Sequence, residues 1–462
     1  MICLNEISQR YRAFKYSLGD IISQAFFISI SFLQKGGLTM SYKFETIQLH
    51  GGQYPDSETG SRAVPIYQTS SYVFKSSDHA ANLFSLKENG NIYTRLGNPT
   101  TQVLEERISL LEGGIGALGV ASGAAAVAYT FLTIAKCGDE ILSANNIYGG
   151  TYNFLTNTII DYGIHTKFFN PKDLNQLENL ITSKTKIIFI ESLGNPSGDV
   201  VDIEKICSIA HKHNIPVVVD NTFATPYLIK PFEFGADIVV YSATKFLGGH
   251  GTSIAGLIVD SGNFNWKDSK FETFNTPDNG YHGLKYSDLN EKAFITKARV
   301  KTLRDTGAAL SPFNSFLILQ GIETLSLRME RHVANAEKIA EFLFKNNEVE
   351  WISYPKFQEN IEKELIEKYL KKGATSIFTF GLKGGRKRGK KFIDSLQLFS
   401  HLANVADAKS LIIHPASTTH GQLNDSELES CGIKPETIRI SIGLENIYDL
   451  IEDLKNAIEI TK

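Results

Sequence analysis

Three short runs in this 462-residue chain, "KIIFIES" (186 to 192), "PVVVD" (216 to 220) and "DIVVYS" (237 to 242), string branched apolar residues together without alternation and then stop at a polar or acidic side chain. A strand with no polar face has to be covered on both sides, which is the condition of a parallel sheet wrapped by helices. "EILSA" (140 to 144) is a fourth run of this kind, and "IEKICSIAHKHN" (203 to 214) has the helical spacing that belongs between such strands. The expected fold class is therefore α/β, a mostly parallel sheet wrapped by helices.

The flanking segments extend this picture. "TQVLEERISLLEGG" reads as an amphipathic helix closed by Gly113 and Gly114. From about Leu310 a single long helix is expected through "FNSFLILQGIETLSLRMERHVANAEKIAEFLFKN", connecting to a smaller C-terminal α+β domain. In that domain "SIFTFGL" (376 to 382) and "TIRISIG" (437 to 443) alternate like strands with one covered face, and a helix over 447–460 ends the chain. The expected division is a leader over 1–39, an N-terminal arm over 40–99, a large domain over 100–309, and the linking helix with the small domain over 310–462.

A parallel sheet delivers the C-terminal end of every strand to one edge, so Glu191, Asp220 and the segment from Ser242 to Lys245 should converge there. Lys245 then sits where a strand meets a turn, and Ser242, Thr244 and the glycines after Lys245 read as an exposed turn. An ionised Asp220 behind "PVVV" needs a cationic partner, because desolvating a lone carboxylate is unfavourable. "ASGAAAVAY" (121 to 129) adds a small-residue turn that opens a helix, whose free backbone N–H groups and positive dipole end suit a phosphate. An anion cradle, a buried carboxylate and a lysine amine on one edge are what pyridoxal 5'-phosphate requires.

Other classes have weaker support. The formal net charge of -3 gives no field favouring nucleic acid, and "GGRKRGKK" (384 to 391) reads as a solvated helix face. Cys3, Cys137, Cys207 and Cys431 lack disulfide or zinc-ligand spacing, and His414 and His420 in "HPASTTH" read as structural histidines, so no metal is expected. Arg10, Arg12 and Lys15 ahead of "IISQAFFISISFL" imitate a secretory signal. Asp20 precedes that run, Ser and Gln interrupt it, and it is too short to span a bilayer, so membrane insertion is not expected. Lys35-Gly36-Gly37 can be encoded by a purine-rich stretch resembling a bacterial ribosome-binding site ahead of Met40, so residues 1–39 are expected to be a non-native or disordered leader with Met40 as the start, and the scattered cysteines fit a cytoplasmic location. The out-of-class alternative is a dehydrogenase: Gly114, Gly116 and Gly119 fit a dinucleotide pattern with Asp139 or Glu140 downstream, and Tyr241 with Lys245 fits a YxxxK pair. Those glycines follow an amphipathic helix where the dinucleotide motif needs a strand.

From about Phe44 to the C-terminus the chain resembles the Cys/Met-metabolism family of pyridoxal-phosphate enzymes, with "YTRLGNPT", "ASGAAA", "IYGGTY", "DNTFATP" and "YSATKFLGGHG" in the family's order. The resemblance implies the fold type I architecture of these enzymes. "FNTPDNGYHGLKY" and "LFSHLANVADAKSLIIHPASTTH" further imply a transferase that combines O-acetyl-L-homoserine with sulfide or methanethiol by γ-replacement, in methionine biosynthesis. It assigns Lys245 to the covalent hold on the cofactor, Asp220 to the pyridine nitrogen, and Tyr148 to stacking on the ring and sharing proton transfers. Ser122, Gly123, Ala124, Thr222, Ser242 and Thr244 would surround the cofactor, chiefly its phosphate, and Asn195 its phenolic oxygen. Asn404 and Arg439 would take the substrate carboxylate. Tyr93 and Arg95 would reach the phosphate of a neighbouring subunit, which implies a homotetramer built as a dimer of dimers. Ala124 and Ala406 depart from residues common at these places. Gly150 and "ANVADAKS" differ from the γ-lyases of the family.

Overall fold

The computed structural model describes residues 42–195, 198–357, 361–418, 421, 424, 428 and 433–462; the expected leader, Cys3, His420 and Cys431 lie outside them. Seven strands, β1 (Gly116–Val120), β2 (Glu140–Ala144), β3 (His165–Phe169), β4 (Thr185–Glu191), β5 (Val217–Asp220), β6 (Ile238–Ser242) and β7 (Gly256–Asp260), form the larger sheet in the order β1-β7-β6-β5-β4-β2-β3. Strands β3, β2, β4, β5 and β6 are parallel, and β7 and β1 add an antiparallel edge. The four expected strands lie within a residue of their predicted limits. β1 and β3 carry no comparable apolar run, and β1 holds two of the three glycines that imitate a dinucleotide motif, whereas β7, with Leu257, Ile258 and Val259 ahead of Asp260, has a run of the same kind beyond the four expected.

The central strands are the core. Ile187 to Ile190, Val217 to Val219 and Ile238 to Val240 have no exposed surface. At roughly 1.5–3 kcal/mol for each fully buried Val or Ile, a slip in register that drew the terminal acids inward would forfeit several such terms. This is why Glu191 and Asp220 stay at the edge.

Helix α1 (Pro99–Glu112) starts where Asn98 accepts a hydrogen bond from the Thr100 amide, has Pro99 in its first turn, and ends on Gly113 with a left-handed φ of 83°. It packs on β1, while α2 (Gly123–Ile134) lies against β6 and β7, and α3 (Ile203–Lys212) against β5.

The long helix expected after Leu310 is two helices, α4 (Pro312–Glu323) and α5 (Leu325–Phe344), broken at Thr324 with φ -113° and ψ 12°. The reason is tertiary. A Cβ at Gly321 would run into the backbone oxygens of Leu247 and Gly248, and Arg328 Nη2 donates to the Gly321 carbonyl at 2.7 Å, so the last turn of α4 is committed to the segment after Lys245.

The smaller sheet has strands β8 (Val349–Ser353), β9 (Ile377–Leu382), β10 (Ser400–His401), β11 (Leu411–Ile413) and β12 (Ile438–Ser441) in the order β10-β11-β12-β9-β8, mostly antiparallel. The expectation of one covered face is corrected here, because every residue of β9 and β12 is buried. Helix α6 (Gly385–Ser395) covers one face, where Phe380 meets Phe392, and α7 (Ile447–Ile460) packs on α6. The other face carries Arg439 towards the larger sheet, where it meets Asn195. In α6 the basic run exposes Lys387, Lys390 and Lys391, while Phe392 and Ile393 are buried. Among the described residues no helix is long and apolar enough to cross a membrane.

Candidate active site

The strand ends meet as parallel pairing requires. Glu191 is opposite Asp220, Asp220 is opposite Val240, and the amide of Ser242 donates to Thr222 Oγ1 at 2.9 Å. Asp220 Oδ1 accepts from the Thr222 amide at 3.0 Å and the Thr222 hydroxyl at 2.5 Å. Burial pushes its carboxyl up to about 6 against the pull of those two bonds, and among the described residues no lysine, arginine or histidine pairs with it. Burial and the neighbouring Asp220 charge raise Glu191 well above the carboxylate range, and its Oε1 accepts from the Tyr148 amide at 2.7 Å.

The cradle is built at the start of α2. Ser122 Oγ caps the helix by accepting from the Ala125 amide at 3.1 Å, and the Ser122 carbonyl takes the Ala126 amide. Among the described residues the Gly123 and Ala124 amides have no backbone or side-chain acceptor, which leaves two donors at a positive helix end. A Cβ on Gly123 would lie 2.6 Å from Ser242 Cβ, and one on Gly256 would collide with the Ser122 carbonyl. Two glycines thus let the helix start approach the end of β6. Thr244 Oγ1 accepts from the Ala255 amide at 3.1 Å, which ties the lysine turn to β7.

Lys245 is not on an exposed turn. Phe246 and Leu247 are buried, and the loop of the smaller sheet containing Asn404 and Asp407 reaches Lys245 through Asn404 and Gly249 through the Ala408 amide, which donates to the Gly249 carbonyl at 2.8 Å. The Lys245 ammonium donates to Asn404 Oδ1. Burial first, and then the positive charge of Arg439, lower the amine to about 8, while Asp407 pulls the other way. Arg439 is itself buried without an acid partner among the described residues; desolvation lowers it to about 10, and its Nη1 donates to Asn195 Oδ1 at 3.3 Å.

Tyr148 is half exposed at the rim, and a Cβ at Gly150 would come within 2.5 Å of its ring, so glycine there leaves the ring its position. Arg95 donates to the Arg304 carbonyl and its guanidinium carbon is 5.5 Å from the centre of the exposed Tyr93 ring. Within one chain no hydrogen bond among the described residues joins Tyr93 or Arg95 to the Lys245 cluster. Tyr241, the other half of the YxxxK pattern, is buried with its hydroxyl accepting from Asn221 Nδ2 at 2.9 Å, and Gly116 and Gly119 lie inside β1, so the dehydrogenase reading fails on geometry. His414 is a buried histidine whose Nδ1 meets Ser417 Oγ at 3.0 Å. Among the described residues no group of three or more His, Cys, Asp or Glu is placed to hold a metal ion.

Sequence reasoning missed Asp407, and it missed the support beneath Asp220. There Asn221 Nδ2 uses its two N–H groups on the Ile229 carbonyl and the Tyr241 hydroxyl, both at 2.9 Å, and Ser192 donates to Asn221 Oδ1, so one amide locks three strand ends. The contiguity of Asn221 with Asp220 in "DNT" is the only hint the sequence offers.

A buried carboxylate without a cation, two free amides at a helix start and a lysine amine drawn towards neutrality lie on one edge. They fit pyridoxal phosphate: Asp220 would meet the ring nitrogen, the α2 cradle with Ser242 and Thr244 the phosphate, and Lys245 the aldehyde carbon. That combination defines a pyridoxal-phosphate-dependent enzyme. The chain belongs to the Cys/Met metabolism PLP-dependent enzymes, whose family model matches residues 45–459. It is 52% identical over 429 residues to an O-acetyl-L-homoserine sulfhydrylase of Leptospira meyeri, covering 91% of this chain and 97% of that protein. It is 49% identical to a homocysteine synthase of Schizosaccharomyces pombe, with 91% and 99% covered. A crystal structure of a putative O-acetylhomoserine (thiol)-lyase from Campylobacter jejuni, with N'-pyridoxyl-lysine-5'-monophosphate, superposes with a TM-score of 0.88 at 44% identity, covering 90% of this chain and 100% of that one.

Proposed function

We propose that the protein catalyses γ-replacement on O-acetyl-L-homoserine. The Cγ–O bond breaks, acetate leaves, and a bond forms between Cγ and the sulfur of sulfide or methanethiol, giving L-homocysteine or L-methionine and serving methionine biosynthesis. The observation that carries the amino-acid half of this reading is Arg439, a buried guanidinium with no acid partner among the described residues, beside an amine held near neutrality. A planar fork of this kind grips a carboxylate with two bonds. The names of the relatives support the acetyl ester and the sulfur nucleophile.

Pyridoxal phosphate, when bound, supplies an electron sink for the carbon acid chemistry at the substrate's α and β carbons. The chain's own residues do the rest. Lys245 Nζ, neutral once its proton is lost near pH 8, takes the α-proton and returns it. Asp220 holds the proton on the ring nitrogen, and Tyr148 stands at the rim to share proton transfers. Asn404 positions the Lys245 amine and joins Arg439 at the carboxylate. Ser122, Gly123, Ala124, Thr222, Ser242 and Thr244 would hold the cofactor, chiefly its phosphate, and Asn195 would serve its phenolic oxygen.

In this reading residues 40–99 form an arm that carries Tyr93 and Arg95 to a neighbouring subunit, residues 100–309 bind the cofactor and residues 310–462 close the site, in a cytoplasmic homotetramer. Steady-state assays of acetyl, succinyl and phosphoryl homoserine with sulfide and methanethiol test the function. Thiol-dependent release of acetate is the expected result, and 2-oxobutyrate as the main product would overturn it. Arg439→Met is expected to raise KM for the ester by about 10²-fold with a smaller change in kcat, because a charged two-pronged contact is lost from bound and reacting states alike. An unchanged KM would remove Arg439 from the carboxylate site.

A further inference from the structure

Three polar residues on one face of α5, Arg328, His332 and Asn335, have no part in the chemistry above. Their spacing of four and three residues puts them in one stripe. Arg328 is buried and no acid among the described residues pairs with it. Its Nη1 donates to the Phe246 carbonyl at 2.7 Å, its Nη2 to Leu247 at 3.3 Å and Gly321 at 2.7 Å, and its Nε to Thr324 Oγ1 at 3.2 Å. The guanidinium therefore clamps the two residues that follow Lys245 to the break between α4 and α5. Gly249, with φ +70°, leaves it room, since a Cβ there would collide with Arg328 Nη1.

One turn further on, His332 packs edge-on to the Phe246 ring at 5.1 Å, and its Nδ1 donates to the Ile442 carbonyl at 2.7 Å. Asn335 Nδ2 donates to the Gly443 carbonyl at 3.0 Å and the Glu445 carbonyl at 2.9 Å. Those carbonyls lie just past β12, the strand that carries Arg439. One rigid helical face, about 10 Å from Arg328 to Asn335 at 1.5 Å per residue, thus holds the Lys245 segment of the larger sheet at one end and the Arg439 strand of the smaller sheet at the other.

We propose that the Arg328–His332–Asn335 stripe is a ruler that sets the separation of Lys245 and Arg439, so that the site accepts a ligand presenting an amine and a carboxylate at the α-amino-acid spacing. The proposal rests on the reading of Arg439 as the carboxylate-binding residue. Lys245 and Arg439 lie on different sheets and share no strand; the side-chain bonds Lys245–Asn404 and Arg439–Asn195 link the two sheets directly, and α5 adds a rigid link between the backbone segments that carry them. A guanidinium buried without a counter-ion is a costly way to hold backbone carbonyls, and it is explained if the position of those carbonyls matters to the site.

The test uses the holoenzyme and two variants, Arg328→Lys, which keeps the charge and loses the planar fork, and Asn335→Ala, which releases the other end. Binding of L-norvaline, which has the amine and carboxylate but no leaving group, is followed by the visible absorbance of the cofactor beside binding of n-butylamine, which has the amine alone. Both variants are expected to weaken L-norvaline roughly tenfold and to raise KM for the ester in step, with n-butylamine held within about twofold, because a small misplacement penalises only ligands that must satisfy both ends. L-norvaline binding at wild-type strength, or equal weakening of both ligands, would overturn the ruler. If Arg328→Lys does not fold, Asn335→Ala decides alone. A wild type that binds the two ligands equally would instead sink the Arg439 reading, and a wild type that binds L-norvaline preferentially without turning over the ester would sink only the proposed reaction.

Discussion

Lys245→Ala is expected to lower kcat by about 10³-fold or more and to abolish the visible absorbance band of the covalently held cofactor, while the melting curve stays cooperative. The effect is large because one amine has two roles that no neighbour can assume. Asn404 offers Lys245 a carbonyl oxygen, Asp407 is an acid, and Arg439 carries a guanidinium that stays protonated even when lowered to about 10. The same surroundings make the lysine useful. An ordinary amine would be almost wholly protonated at neutral pH, whereas burial and the Arg439 charge bring this one to about 8, so a neutral fraction exists to act as nucleophile and base. Turnover and the absorbance band, measured on the purified variant, both have to disappear; survival of either would remove Lys245 from the chemistry.

Asp220→Asn is expected to lower kcat by roughly 10²–10⁴-fold, the equivalent of the about 3–5 kcal/mol lost when one partner of a buried charge pair is removed. The substitution is nearly isosteric, and its amide oxygen can still accept from the Thr222 amide and hydroxyl, so the strand end keeps its shape. What it loses is the negative charge that would keep the ring nitrogen protonated. The pH dependence has a definite sign. Burial raises the Asp220 carboxyl to about 6 in the absence of a cation, so protonating it at lower pH favours the cofactor-free fold, and a cationic ring nitrogen in place shifts the balance back towards the carboxylate. Cofactor affinity of the wild type should therefore weaken as pH falls towards 6, and in Asp220→Asn that dependence should flatten. Titration of cofactor binding by absorbance checks it, and an identical pH profile in the two proteins would refute the pairing.

Much of this site was readable in the chain because of its position relative to strands. Runs with no exposed face demand burial on both sides, parallel pairing sends their ends to one edge, and Glu191, Asp220 and Ser242 follow. The helix-opening "ASG" was legible for a similarly local reason, since a capping serine followed by small residues forms a free helix start. The exposed turn at Lys245, the single helix after Leu310 and the half-covered strands of the small sheet were misjudged for one shared reason. Each is overridden by a contact with a segment far away in sequence: the Asn404 loop over Lys245, the Leu247–Gly248 backbone against Gly321, and Arg439 reaching Asn195.

The sequence by itself determined which side chains stand at the end of which strand, because apolar periodicity and turn chemistry act over a few residues and need no knowledge of the rest of the molecule. Only the tertiary structure decided that the amine would be buried, that Arg439 and Asp407 would bear on it, and that a buried arginine would tie its turn to a helix carrying the opposite sheet. Those outcomes depend on desolvation and on charges brought together across some 80 to 240 residues of chain, and no local pattern encodes the dielectric or the distance that sets their strength.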